Sequence, residues 1–376
     1  MYKNIFYERR TNKIHLWDDK KGHLIIPFKK YAYVKNQTGL HFTLNGDKVK
    51  KVYDWDNEDP NVFESDVPIP TRFLVDQYTD SDEVSEGIRT FFFDIEVEVV
   101  DGFPDVMKAN EKITSIAFYD ELLQKYFCYT LDEQKKLNDY EKDDTIVKLF
   151  TSEYELLTNF YQKYAEIQPD ILSGWNIEFF DIPYLYNRSV NVLGKSVADM
   201  LSPIRNVMYS EYKKKHNIAG VSILDYLTLY RKFSFIQQSS YRLDYIGELD
   251  KKLDFINIAR GIAHLGHVPY EDVFMSSRYL EGAILVYLKK IGVVAPNKPP
   301  RPKKLDDDKF AGAYVQPPQR GKHDWVYDLD ITSMYPSVIR SLNISPETKV
   351  GKVEEWDAEE YLKKDFNKDY ELTDKK

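Results

Sequence analysis

At 376 residues the chain is too long for one ordinary hydrophobic core, so two or three domains are expected. A net charge of −9 excludes a simple basic nucleic-acid coat, although not an enzyme with a local basic groove and clustered acids. The single cysteine, Cys128, excludes an intrachain disulfide, and a polar start (MYKNIFYERR) with no apolar run near the ~20 residues of a bilayer span points to a soluble intracellular protein.

Residues 1–75 hold short alternating runs such as KIHLWDD, HLIIPFKKYAYV and LHFTL between turn formers, which predicts an antiparallel β domain. The acidic stretch DQYTDSDEVSEG (76–87) has no periodic apolar face and is expected to be a linker. RTFFFDIEVEVV (89–100) is a strand, and KITSIAFYDELLQKYFCYTL is a hairpin. SEYELLTNFYQKYAEI spaces Tyr154, Leu157, Phe160, Tyr161 and Tyr164 as one helical face, with Ser152 as N-cap and Pro169 past its end. DILSGW is a short strand, and DIPYLYNRSVNVLG begins a helix with Pro183 in its first turn. VSILDYLTLYRKF runs from strand into helix, and KKLDFINIARGIAHLG and SRYLEGAILVYLKKIG are further helices. Pro- and Lys-rich APNKPPRPKK (295–304) marks a boundary, followed by a strand in DWVYDLDI and then TSMYPSVIRSLN. Two basic clusters, Lys213–Lys215 and Lys289–Lys304, read as solvated faces or linker.

Two groups of acids stand out. Asp94 and Glu96 alternate on one strand face while Phe91, Phe93 and Ile95 take the other. Like charges so placed repel unless a cation sits between them, and hard oxygen ligands suit Mg²⁺ or Mn²⁺. Asn176 leaves a strand and Asp181 opens a helix, which places an amide and a third carboxylate at a sheet edge. Further on, Asp328 and Asp330 share a strand face that breaks into TSMYPS.

FDIE followed by NIEFFDIPY resembles the first two exonuclease motifs of the family B DNA polymerases, and the text around DILSGWNIEFFDIPYLYNR and SILDYLTLYRKFSF looks closest to the replicative polymerases of large tailed phages. The likeness covers essentially the whole chain. It implies an α+β multidomain protein: a mostly β N-terminal domain with linker (1–87), an RNase H-like α/β 3′→5′ exonuclease domain (88–254), a helical return to the N-terminal domain (255–308), and the start of a polymerase palm (309–376). By the same resemblance Asp94, Glu96 and Asp181 are metal carboxylates of a two-ion site for Mg²⁺ or Mn²⁺, while Asn176, Phe180 and Phe103 hold a DNA 3′ end. D-x-x-S-x-Y-P-S, the family's motif A, is matched by Asp330, Ser333, Tyr335, Pro336 and Ser337. It implies that Asp330 binds catalytic Mg²⁺, that Ser333, Met334 and Tyr335 line a dNTP site, and that Tyr335 excludes ribonucleotides. FAGAYV (310–315) resembles the segment linking the two activities.

Two departures follow. The family's third exonuclease motif, Tyr-x-x-x-Asp, is missing near Asp250–Lys251, with Asp250 and Asp254 the nearest acids; Tyr241–Asp244 has the wrong spacing. The second palm motif, D-T-D, and the fingers motif K-x-x-x-N-S-x-Y-G do not occur after residue 337. The expectation is the N-terminal part of a phage polymerase, cut within the palm, with an impaired exonuclease and no polymerisation by this chain alone. Its partners would be primer–template and single-stranded DNA, dNTP and a separately encoded C-terminal half, with no sliding-clamp contact through this chain, in the cytoplasm of the infected bacterium. The alternative is a stand-alone or inactive DNA-binding exonuclease-like module.

Overall fold

The computed structural model describes residues 1–56, 59–81, 83–100, 102–121, 123–234, 243–299, 317, 319–327, 329–345, 348, 350–353 and 372–373. The chain divides into two compact units, Met1–Arg301 and Pro302–Lys376.

The first unit opens with an antiparallel sheet of β1 (Tyr2–Glu8), β2 (Lys13–Asp18) and β3 (Gly22–Pro27). Ile5, Ile14 and Leu16 turn inward from alternating positions, as the period-2 pattern requires. A second sheet holds β4 (Ala32–Lys35), β5 (His41–Thr43), β6 (Lys48–Val52) and β7 (Val62–Phe63), before helix α1 (Ile69–Tyr78).

The stretch expected as a linker, 76–87, begins inside α1 and is anchored beyond it. Ser85 is buried; its carbonyl accepts from Arg260, its N–H donates to His264 Nε2 (3.3 Å), and its hydroxyl lies 2.8 Å from Tyr270 Oη. These partners lie more than 170 residues away, and polar anchoring leaves no apolar periodicity for a sequence window to detect.

The central sheet comprises β8 (Thr90–Val97), β9 (Ile113–Asp120), β10 (Lys125–Leu131), β11 (Tyr140–Lys142) and β12 (Thr145–Phe150), joined later by β13 (Ile171–Ser173) and β16 (Ser222–Ile223). Its order is β11-β12-β10-β9-β8-β13-β16. β8, β9 and β10 pair antiparallel, while β13 adds parallel to β8 and β16 parallel to β13. This is the expected mixed α/β sheet.

Helix α2 (Glu153–Ile167) covers one face, with Leu157, Phe160, Tyr161 and Tyr164 packed on Phe91, Phe93 and Ile95. Tyr154 falls in the first turn and is exposed. Ser152 caps the helix as expected, accepting the Glu155 N–H at 3.3 Å. Helices α3 (Asp181–Leu193) and α4 (Lys195–Ala198) follow, then a hairpin of β14 (Val207–Ser210) and β15 (Lys215–Ile218).

Helix α5 (Tyr226–Phe233) leads to α6 (Leu243–Leu253) and α7 (Phe255–Gly266). KKLDFINIARGIAHLG is therefore not one helix: Asp254 is left-handed (φ 56°) between α6 and α7, and Asp250 Oδ1 accepts the Ile256 N–H across the break at 3.3 Å. Helix α8 (Ser276–Lys290) packs against α1, and β17 (Val293–Val294) then adds parallel to β5. Lys289 bonds to Asp76 and Lys298 to Glu281, so these two members of the second basic cluster pair within the fold.

In the second unit, helix α9 (Met334–Ser341) follows Ser333, and β18 (Lys352–Val353) pairs with β19 (Leu372–Thr373). The strand expected across 324–331 is absent from its described residues, which are irregular and exposed. A strand needs a neighbour for its ladder of N–H and C=O groups, and none of the described residues pairs with this segment. Asp328, Tyr241 and the FAGAYV segment lie outside the described residues.

Candidate active site

The site grows from an incomplete ladder. β13 pairs with β8 only through Ile171↔Thr90, Leu172↔Phe91 and Ser173↔Phe92, then turns away. Gly174 makes the turn where a Cβ would stand 2.5 Å from the Phe93 carbonyl oxygen. Beyond it, among the described residues, no strand pairs with β8 on that side. The Ile95 N–H instead donates to Asp181 Oδ1 at 3.0 Å, so a side chain replaces a strand as acceptor.

This bond brings Asp181, buried at the first position of α3, to the strand that bears Asp94 and Glu96. Opposite those two acids on β9 lie the small side chains Ala117 and Ser115. The pairing shifts register between Glu96 and Val97, and Thr114 Oγ1 bonds the Glu96 carbonyl there at 3.1 Å. Such irregularities commonly mark the rims of sites.

The electrostatics follow from burial. Desolvation and the Glu96 charge push Asp94 up to about 6. Desolvation, then the Asp94 charge, pushes Asp181 up to about 8, despite the bond from Ile95. A carboxylate in the first turn of a helix is ordinarily favoured; here burial outweighs the dipole. Among the described residues no lysine, arginine or histidine pairs with Asp94, Glu96 or Asp181. The pair therefore holds either a proton or a cation, and an all-oxygen donor set fits a hard divalent ion. Among the described residues no three acidic, histidine or cysteine side chains form a group able to hold an ion. Glu96 is exposed on the same face and adds charge rather than closing a three-ligand cluster.

The other expected residues distribute unevenly. Phe180 immediately precedes Asp181, and the Phe103 ring, 82% exposed, lies against it at 5.2 Å between centroids. Phe180 in turn stacks on Tyr184 at 5.6 Å. Asn176 is exposed and left-handed (φ 64°), a conformation that asparagine tolerates. Asp250 is buried beside Tyr226, and Asp254 accepts from Asn257 at 2.7 Å. Neither is among the groups that act on Asp94 or Asp181. In the second unit Asp330, Ser333, Met334 and Tyr335 are all exposed.

One residue was missed. Asp225, at the start of α5, is 1% exposed; Oδ1 accepts the Thr228 N–H (3.2 Å) and Oδ2 the Glu178 N–H (3.1 Å). Its charge also raises Asp181. An acid directly after the apolar run VSIL and before a helix was the available signal, but it discloses only the cap.

A model of the DNA polymerase family B exonuclease domain matches residues 72–246, and one of DNA polymerase family B matches 273–376. The DNA-directed DNA polymerase of Escherichia phage RB69 is 32% identical over 329 residues, covering 70% of this chain and 36% of that protein. That of Enterobacteria phage T4 is 28% identical over 341 residues, covering 73% and 37%. The DNA polymerase of Archaeoglobus fulgidus is 24% identical over 348 residues, covering 80% and 43%. The chain thus spans just over a third of the length of the two phage relatives.

Proposed function

Because the chain belongs to DNA polymerase family B, we propose that residues 88–254 act as a metal-dependent 3′→5′ exonuclease on DNA in phage genome replication. The observation that carries the reading is the convergence of Asp94 and Asp181, two desolvated carboxyls with no basic partner among the described residues. Asp94 and Asp181 would hold Mg²⁺ or Mn²⁺, with Glu96 adding negative charge. When bound, the ion supplies Lewis acidity for hydrolysis of a phosphodiester.

The protein's own residues bind and orient. The exposed Phe103 ring, backed by Phe180, offers a face on which an unpaired terminal base stacks. Asn176 presents its amide from a turn ahead of Asp181. The Ile95 N–H holds the Asp181 carboxylate at the strand. The absence of Tyr-x-x-x-Asp removes a carboxylate and a tyrosine, so hydrolysis is slow compared with a site that keeps them.

Residues 1–87 form the N-terminal domain in this reading, 255–308 the helical return to it, and 309–376 part of a palm. There Asp330, Ser333, Met334 and Tyr335 would meet metal and dNTP, with primer–template DNA as the substrate. Nucleotide addition needs a second palm carboxylate, which these 376 residues do not supply. The setting suggested by the phage relatives is the cytoplasm of an infected bacterium. Among the described residues no helix is long and apolar enough to cross a membrane.

The test is Mg²⁺-dependent digestion of 3′-labelled single-stranded DNA. Digestion by the wild type but not by Asp94→Ala supports the assignment; no digestion above that control sinks it. The missing third motif favours a second reading, a DNA-binding module without hydrolysis, which the same experiment identifies as retention of uncut DNA.

A further inference from the structure

Asp225 does more than an N-cap requires. Capping accounts for its bond to Thr228 N–H in the first turn of α5. It does not account for the second bond, in which Oδ2 accepts the Glu178 N–H from a segment 47 residues earlier. That segment is the turn that delivers Asp181.

We propose that Asp225 is a positioning residue for Asp181, fixing the 174–180 turn so that the Asp94–Asp181 pair keeps the spacing a divalent cation needs. This rests on reading that pair as a cation site. The turn is gripped at several points. The Tyr226 N–H, next to Asp225, donates to the Gly174 carbonyl at 2.8 Å and holds the turn's beginning. Asp225 holds its middle at Glu178. The Glu178 side chain pairs with Lys215 from β15. The Ile182 N–H donates to the Ile177 carbonyl at 3.0 Å and passes the position on to the start of α3.

Both Asp225 oxygens are engaged by backbone N–H groups, so it acts through the turn rather than as a ligand. It is thus not a substitute for the acid of the absent third motif.

The full 376-residue protein carries the test. Asp225→Ser keeps an oxygen for the Thr228 cap but is too short to reach Glu178. Thermal unfolding checks its fold, Mn²⁺ titration by electron paramagnetic resonance reads ion affinity directly, and Mg²⁺ titration of single-stranded DNA digestion reads turnover. The expected result is a melting temperature close to wild type, Mn²⁺ affinity about 10-fold weaker or more, and a matching rise in the Mg²⁺ needed for digestion, with the KM for DNA unchanged. Wild-type Mn²⁺ affinity in folded Asp225→Ser, alongside weakened binding in Asp181→Asn, overturns the positioning role and leaves the cation site standing. If Asp94→Ala binds Mn²⁺ and digests DNA as the wild type does, the cation site itself fails and this role falls with it. Should Asp225→Ser not fold, Asp225→Asn, which keeps the size, carries the same comparison.

Discussion

Asp181 and Ile95 are joined by a bond that ordinarily belongs to a sheet: the Ile95 N–H donates to a carboxylate oxygen 86 residues away at 3.0 Å. It brings the acid of α3 to the peptide next to Asp94, where burial, and then the Asp94 charge, raise the cost of ionising Asp181.

Asp181→Asn should therefore separate activity from stability. Asparagine keeps an oxygen for Ile95 but removes the buried charge and with it the repulsion from Asp94, so unfolding without metal should cost about 1–3 kcal/mol more at pH 8. Hydrolysis of single-stranded DNA should fall by about 100-fold or more. Denaturant titration and a 3′-end digestion assay check the two halves, and a destabilised variant would contradict the electrostatic account.

Gly174→Ala places a methyl group 2.5 Å from both the Phe93 carbonyl oxygen and Ile177 Cγ2. The strand edge cannot yield without moving the turn, so a loss of about 2–3 kcal/mol is expected in urea unfolding. Unchanged stability would mean that β13 leaves β8 by a different path.

Phe103→Ala should leave unfolding nearly unchanged, because the ring is exposed. It should raise the KM for single-stranded DNA by about 5–10-fold, in line with the loss of one stacking contact of about 1 kcal/mol. An unaltered KM would assign the ring to loop packing.

His264 predicts an acid dependence. Burial, then the Arg260 charge, lowers it to about 3, and the Ser85 N–H bond makes Nε2 the acceptor. Above its ordinary value of about 6.5 the folded and unfolded forms are both neutral. As pH falls from about 6.5 toward 3 only the unfolded chain gains the proton, so this stability is lost. Between pH 7 and 5 His264→Gln should lose about 2 kcal/mol less than wild type in parallel denaturant titrations. Equal slopes would show that the ring is reachable by protons in the folded state.

The sequence disclosed what local pattern controls. Alternation exposed β8 and set Asp94 and Glu96 on one face; the helical stripe and Ser152 disclosed α2. Asp181 was recognisable because a short motif carries it. Asp225 and Ser85 were not, since each is defined by bonds to chain 47 or more than 170 residues away. The strand expected at 324–331 failed for the opposite reason: its alternation is sound, but no partner among the described residues completes it.

The unfinished pairing of β13 with β8 also works as a ruler. Residues 174–180 must span from the last paired strand residue to the helix whose first side chain meets the Ile95 N–H. One residue more or fewer would swing Asp181 round the helix by about 100° and leave a buried amide without its acceptor. This turn should therefore tolerate substitution at exposed Phe179 far better than any change in length, unlike most surface loops.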